Sequence, residues 1–408
     1  MATDPTRRSE LTRRNYLAYG GSALGAALLA GCTGGGDGDG GGETDGDGGA
    51  DGEAGTASTE EEPSEGEEDS EESTTDESYT VSLSSVGEVT FDAVPETWAA
   101  NNGSWADMGV ALGQRPPEAV YLTGRYHTQL YDEIPGVSVD KSDMQSLWES
   151  ELDVEDFLSL AERVDFFAMD PNFLLGRTSN WEQDDIDQIE SAGAPFFANS
   201  IFSRGYEWHD YEYPTLYEAF EKLSEVFQEE ERYDAFEALH EEFRAEIDGI
   251  VPPEEERPSV AIMWPQPIDE PESFSPYLID EGTSFKQWRD LGVEDAFATT
   301  DVKDFHADRG QVDYELLLEI DPDVLLLRGN ENKTAAEFRD TVVSFMEDHS
   351  VASSLTAVEN GDVYRGGPLY QGPITNLVLT ERAAEQVYGV DEELFDRERV
   401  ADIVNGEF

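Results

Sequence analysis

Cysteine is almost absent from this chain of 408 residues; Cys32 is the only one. A disulfide within the chain is excluded, so stability must come from packing and from adaptation to the solvent. Basic residues are scarce too: 25 Lys and Arg face 92 Asp and Glu, and only five of the bases are lysines. The formal net charge of −67 disfavours nucleic acid as a partner. Histidine is limited to His127, His209, His240, His306 and His349, with no close spacing, so direct capture of a bare metal by a histidine cluster is not expected. The chain has no G-x-S-x-G elbow, no H-E-x-x-H pair, no P-loop and no G-x-G-x-x-G following a strand. No catalysis is expected, although dispersed carboxylates leave a surface-anchored hydrolase as the rival class.

What is present begins at the N-terminus. Arg13-Arg14 stands eighteen residues before Cys32, and an uncharged stretch leads to Leu29-Ala30-Gly31-Cys32. A basic start, a short apolar run and small residues before a cleavage point make a secretory signal. The arginine pair points to the route that exports folded proteins. Cys32 resembles the lipid-acceptor position of a lipoprotein signal; the rival is an uncleaved span, for which a Gly/Ala-rich run is poorly suited. Either way the protein works outside the cytoplasm, held at the membrane. Residues 1–31 are thus assigned as the signal and 32–78 as a tether. The tether holds eighteen acids after Cys32 and no base, too polar to bury a core and self-repelling.

About 330 residues remain, more than one core usually serves. A pattern recurs there at domain scale. Asp153-Val154-Glu155-Asp156-Phe157 opens a short apolar helix leading to Val164-Asp165-Phe166-Phe167-Ala168, and Asp313-Tyr314-Glu315-Leu316-Leu317 opens another leading to Asp323-Val324-Leu325-Leu326-Leu327. In each copy Asp is a plausible N-cap, Glu lies in the first turn, and the apolar run has the length of a strand buried in a parallel sheet. Further strand-like runs occur at 86–91, 119–122, 194–198, 259–264 and 362–365, with helical patterns between them. Between the copies, Leu216, Phe220, Leu223, Phe227, Tyr233, Phe236, Leu239, Phe243, Ile247 and Ile250 keep helical spacing, with a phase slip near 229–232. The expected fold is α/β: two Rossmann-like lobes with mostly parallel sheets, at 79–212 and 257–408, joined by a long α-helix within 213–256.

This arrangement resembles the substrate-binding proteins of ABC importers, most closely the class serving iron-siderophore, haem and cobalamin transport. The resemblance is carried by Glu315-Leu316-Leu317-Leu318-Glu319-Ile320-Asp321-Pro322-Asp323 and the aliphatic strand after it, by Val358-Glu359-Asn360-Gly361-Asp362-Val363-Tyr364, and by a terminal helix over 381–388. The first copy has Arg163-Val164-Asp165 where the family usually has Pro-Asp. The resemblance implies a monomer that buries a small chelate between its lobes, without a resident cofactor. It also implies a partner, a permease dimer with its ATPase subunits. Glu155 and Glu315 are then implied to dock the two lobes onto permease arginines; without that role each is a helix-end charge.

In open α/β sheets ligands sit beyond the carboxyl ends of the strands. The loops expected there carry Trp98, Asn102, Trp105, Arg125, Tyr126 and His127, then Asp170, Phe173, Arg204, Tyr206 and Trp208. The second lobe adds Trp264, Tyr277, Phe305, His306, Arg309, Arg328 and Tyr370. Each could equally serve its own loop. As a set, forked Arg donors and flat Trp and Tyr walls suit a large anionic or neutral chelate, a ferric siderophore first, cobalamin or haem next.

Acids spread over the whole chain would repel one another in dilute buffer, and concentrated salt screens that repulsion, a composition resembling that of proteins from extreme halophiles. Melting temperature and helicity should therefore fall on dialysis from molar to millimolar KCl, as read by circular dichroism; a flat response would contradict this reading of the charge.

Overall fold

The computed structural model describes residues 78–148, 152–177, 180–204, 206, 208 and 211–408. The signal, Cys32 and the acidic tether lie outside the described residues, as does His209. Described residues open with an antiparallel hairpin, β1 (Tyr79–Leu83) and β2 (Gly87–Phe91). The first sheet holds β3 (Trp98–Ala100), β4 (Ala119–Val120), β5 (Gln145–Ser146) and β6 (Phe166–Ala168), all parallel, in the order β5-β4-β3-β6. A parallel bridge from Phe167 to Phe196 adds the next segment at its edge. The second sheet holds β7 (Ser259–Gln266), β8 (Ser273–Tyr277), β9 (Glu294–Asp295), β10 (Val324–Leu327) and β11 (Val363–Arg365), in the order β11-β10-β7-β8 with β9 also on β7. Only β8 runs antiparallel in it.

Both sheets are buried on both faces, which is why their strands read as continuous apolar runs. Residues alternate between an inner and an outer core. Trp98, Ala100, Phe166 and Ala168 in the first sheet, and Val260, Ile262, Val324 and Leu326 in the second, all belong to one cluster that also takes in the connecting helices. Ala99 and Phe167 pack on the outer side of the first sheet, and Ala261, Met263, Leu325 and Leu327 on the outer side of the second.

The repeat is realised in three dimensions. Asp153 caps helix Val154–Ala161 by accepting from the Glu155 amide at 2.8 Å, and Asp313 caps helix Tyr314–Ile320 by accepting from Leu316 at 3.0 Å. Asp165, just before β6, accepts from the amides of Glu96 and Thr97 at the start of the neighbouring strand, and Asp323, just before β10, accepts from Ser259 at the start of β7. The carboxylate that pins one strand to the next is therefore kept in both copies, although the first lacks the proline.

The connector is two helices, Leu216–Phe227 and Glu230–Ile250. They part at Gln228, which takes a left-handed conformation (φ 54°), where the apolar phase slips. Two expectations change. Residues 86–91 form a surface hairpin rather than a sheet strand, and Trp98 lies within a central strand rather than in a loop after one.

The last long helix, Pro373–Tyr388, packs against helix Gly103–Ala111 of the first lobe and helix Lys286–Asp290 of the second. Its N-terminus is capped from the first lobe: Asp107, wholly buried, accepts from the amides of Ile374 (3.0 Å) and Thr375 (3.1 Å) and from the Thr375 hydroxyl (3.2 Å). A Cβ at Gly372 would stand 2.4 Å from the Asp107 carboxylate, so only glycine leaves room for this approach. Burial raises the Asp107 carboxyl to about 6, against the hydrogen bonds from Tyr131 and from Thr375 and Ile374. An acid raised on folding keeps its proton longer in the folded state. Its contribution to stability is complete below the unfolded value near 4 and is lost as pH rises through about 6. The loss is at most on the order of 3 kcal/mol. Asp107→Asn preserves an accepting oxygen and should remove this slope, so the stability difference between parent and variant, measured by urea unfolding, should shrink from pH 4 to pH 6; a constant difference would refute the assignment.

Candidate ligand cleft

The two lobes meet where their strands end. The Thr283 amide donates to the carbonyl of Ile201 (3.1 Å) and the Ser284 amide to that of Phe202 (3.3 Å), which stitches the second lobe to the segment after the first sheet. A Cβ at Gly282 would lie 2.3 Å from the Phe202 carbonyl oxygen, so this approach also needs glycine. The Arg204 amide donates to Asp280 (3.2 Å), and the Ser203 hydroxyl lies 3.1 Å from His306 Nδ1.

His306 marks the centre of the cleft. Tyr277 packs edge-on to it at 4.9 Å, with Tyr206 at 5.9 Å and Phe202 at 6.0 Å. Burial first, and then Arg328, Arg309, Arg177 and Arg125, push its imidazole down to about 3, so it is neutral at physiological pH. Four guanidinium groups therefore act electrostatically on one ring. Among the described residues none of the four lies within ion-pair distance of an Asp or Glu, a trait they share with Arg115, Arg204, Arg257, Arg289, Arg339 and Arg365. Asp280, Asp304 and Glu331 act on Arg328, but only from beyond ion-pair distance. Tyrosines surround these groups: Arg177 faces Tyr121, Tyr206 and Tyr370, and Arg125 stands near Tyr370. Burial pushes Tyr277 up to about 12, and raises Tyr206 and Tyr370 as well, so these phenols stay protonated and can donate.

The residues expected from the sequence divide into three groups. Arg125 lies exposed, its guanidinium 5.3 Å from the Trp264 ring across the lobes, and Arg309 is exposed above Phe305 at 5.0 Å. Tyr277 and Tyr370 line the same place, Tyr370 packing edge-on to Phe202 at 5.2 Å. Phe173 is one step back, supporting Tyr121 and Trp208. Arg204 turns its guanidinium over Tyr213 at 4.6 Å.

A second group belongs to the core. Trp98 stacks on Phe166 at 6.0 Å and gives its indole N–H to the Arg115 carbonyl; Trp105, 0% exposed, gives its own to Asn199. Both were expected in cleft loops, and both instead hold the first sheet to its helices. Asn102 caps helix Gly103–Ala111 through the Ser104 amide, and Tyr126 is buried with its hydroxyl on that of Tyr131. His127 is close to Glu331 and Lys141 rather than His306. Asp170 accepts from Tyr211 and Asn172. Arg328 alone forms the third group: it reaches His306 through space but is wholly buried beneath the cleft.

Sequence reasoning missed Arg177 and Tyr121. Arg177 ends helix Pro171–Arg177, one element beyond the loop after β6, and Tyr121 is the first residue past β4. Extending the strand-end window by two turns of helix would have found Arg177. Glu155 and Glu315 are both exposed, in equivalent first turns of the repeated helices. Among the described residues no group of three His, Cys, Asp or Glu could hold a metal ion, and no helix is long and apolar enough to cross a membrane.

A model of the periplasmic binding protein family matches residues 166–369. No curated protein sequence matches the chain. Among solved structures, a periplasmic binding protein from Veillonella parvula superposes with a TM-score of 0.53 at 17% identity, covering 77% of this chain and 99% of that one. The petrobactin-binding protein YclQ from Bacillus subtilis gives 0.52 at 16%, covering 78% and 100%. The iron uptake ABC transporter substrate-binding protein PiuA from Streptococcus pneumoniae gives 0.50 at 16%, covering 75% and 97%. At such identities the likeness concerns the fold.

Proposed function

The chain belongs to the periplasmic binding protein family, and we propose that it captures an anionic ferric chelate of the siderophore type between its lobes and delivers it to an ABC permease. The observation that supports the reading is that Arg125, Arg177 and Arg309 are exposed, all act on His306 and form no ion pair among the described residues. Guanidinium forks recognise carboxylate, catecholate and other anionic oxygens, and hydrogen bonds to charged groups are the strong ones. Tyr121, Tyr206, Tyr277 and Tyr370 supply further donors, and the Trp264 and Phe202 rings supply flat apolar walls. A neutral corrinoid would leave three exposed cations unanswered. Trp208 and Trp264 make the cleft its own reporter. In molar salt, tryptophan fluorescence should quench saturably with an anionic ferric chelate and less with neutral ferric hydroxamates, haem or cobalamin. Arg125→Ala combined with Arg177→Ala should weaken that binding about a hundredfold. No saturable binding by any ferric chelate would overturn the reading.

Delivery needs a membrane and a docking surface. We assign the tether to a lipid on Cys32 and the docking contacts to Glu155 and Glu315, one on each repeated helix. In strong salt such docking depends on close, desolvated pairs rather than on long-range attraction. An uptake assay checks both ends of the scheme: Cys32→Ser should release the protein into the medium, and Glu155→Ala with Glu315→Ala should abolish uptake while ligand affinity is unchanged. Normal uptake by that double variant would leave both residues as helix-end charges.

A further inference from the structure

Beneath the cleft lies a second cationic group with different surroundings. Arg328 follows β10 and is 0% exposed. Its amide donates to the Met263 carbonyl, and its Nη2 donates to the Ser284 carbonyl at 2.5 Å. The guanidinium lies 4.6 Å from the Phe285 ring and 5.1 Å from the Tyr277 ring, so aromatic faces flank it. Nε and Nη1 have no protein partner, and the hydroxyls of Thr283 and Ser284, in the turn it touches, are likewise buried without one.

The nearest carboxylates act only at a distance, and each is engaged. Asp280 accepts from the amides of Gly282 and Arg204. Asp304 accepts from Leu278, His306 and Ala307. Glu331 is held by Arg382 and the Gly367 amide. Burial lowers Arg328 to about 10, against the pull of Tyr277, Asp280, Asp304 and Glu331, which leaves it charged at neutral pH. A buried guanidinium with no ion pair and two unpartnered nitrogens is costly. Water would satisfy the N–H groups but not the charge. A chelate in the cleft would have to reach a side chain that exposes nothing, which restricts the partner to a few atoms.

We propose that Arg328 and the adjoining Thr283–Ser284 turn hold a small monovalent anion of the halide class, buried between the aromatic floor of the cleft and the second lobe. The ion neutralises the guanidinium and takes up its free donors, and it fixes the floor on which Tyr277 and His306 stand. The site is independent of the chelate bound above it, so failure of the chelate assay leaves it standing.

Bromide tests the proposal directly. Ligand-free crystals of the chain grown in potassium bromide should show an anomalous peak within hydrogen-bonding distance of Arg328 Nε or Nη1. In solution, the wild-type melting point should be roughly 2 °C higher in potassium chloride than in potassium gluconate at equal ionic strength, once chloride exceeds its dissociation constant about tenfold. Arg328→Met should lose that chloride-specific increment. Should this variant fail to fold, the wild-type bromide map decides. A site filled by water with no anomalous signal, or equal wild-type melting points in the two salts, would overturn the assignment.

Discussion

The inner faces of both sheets share one apolar core with the connecting helices and with helix Pro373–Tyr388. The geometry of the cleft follows from that sharing. In a protein whose lobes had separate cores, a hinge could open without exposing apolar surface. Here, swinging the lobes apart would uncover Phe220, Phe236, Leu377 and their neighbours, at about 25 cal/mol for each Å² exposed. Asp107 reinforces the constraint with a different interaction. Its carboxylate sits at the positive end of a helix dipole, so the first lobe holds the start of the helix that the second lobe packs against. From there a buried polar chain runs towards the cleft. The Gln371 amide donates to Ser104 Oγ, and its side-chain amide donates to Gln287 and to the Ser284 carbonyl, the same carbonyl that takes Arg328. The lobes are thus joined by packing and by a hydrogen-bonded path that ends beneath the cleft, and both favour a stiff frame over a wide hinge.

The fold was legible because parallel strands buried on two faces leave a strong trace in sequence. Val324-Leu325-Leu326-Leu327 and Phe166-Phe167-Ala168 could hardly be anything else once preceded by a capped helix, and their recurrence implied two lobes. What was not legible were strands too short to have a period. Trp98–Ala100 spans three residues between a proline-bearing turn and two asparagines, yet it is central to its sheet because Phe166 and Ala119 pair on either side of it. Pairing of that kind is decided by tertiary contacts, not by local preference. The same limit explains Trp98 and Trp105: large aromatics next to strand ends serve a core as often as a cleft, and only the position of Phe166 and Phe227 behind Trp98 tells them apart. The arginines were easier, because each base in this chain is rare enough to need a reason. Even so, the sequence could not distinguish exposed Arg125 from buried Arg328, since both follow closely on a parallel strand, or show that Arg309 caps the short helix Phe305–Asp308.

The charge of the chain and the proposed charge of its ligand have the same sign, and concentrated salt would resolve the conflict. At low ionic strength a net charge of −67 would repel an anion over tens of ångströms. In molar salt the screening length contracts to about 3 Å, so the acidic surface is invisible to a ligand more than one water layer away. Contacts to a ligand held between the lobes would be as short as that, beside the packed rings of Tyr277, Tyr370 and Phe202. The arginines there would keep most of their attraction while the surface lost its repulsion. Their lack of an ion pair among the described residues would then matter: a carboxylate paired with Arg125 or Arg309 would survive screening at the same short range and cancel the attraction that remains. Asp304 and Asp308 share a short helix with Arg309, yet neither forms an ion pair with it, and in a chain where acids outnumber bases 92 to 25 that separation would leave its guanidinium open to the proposed anion.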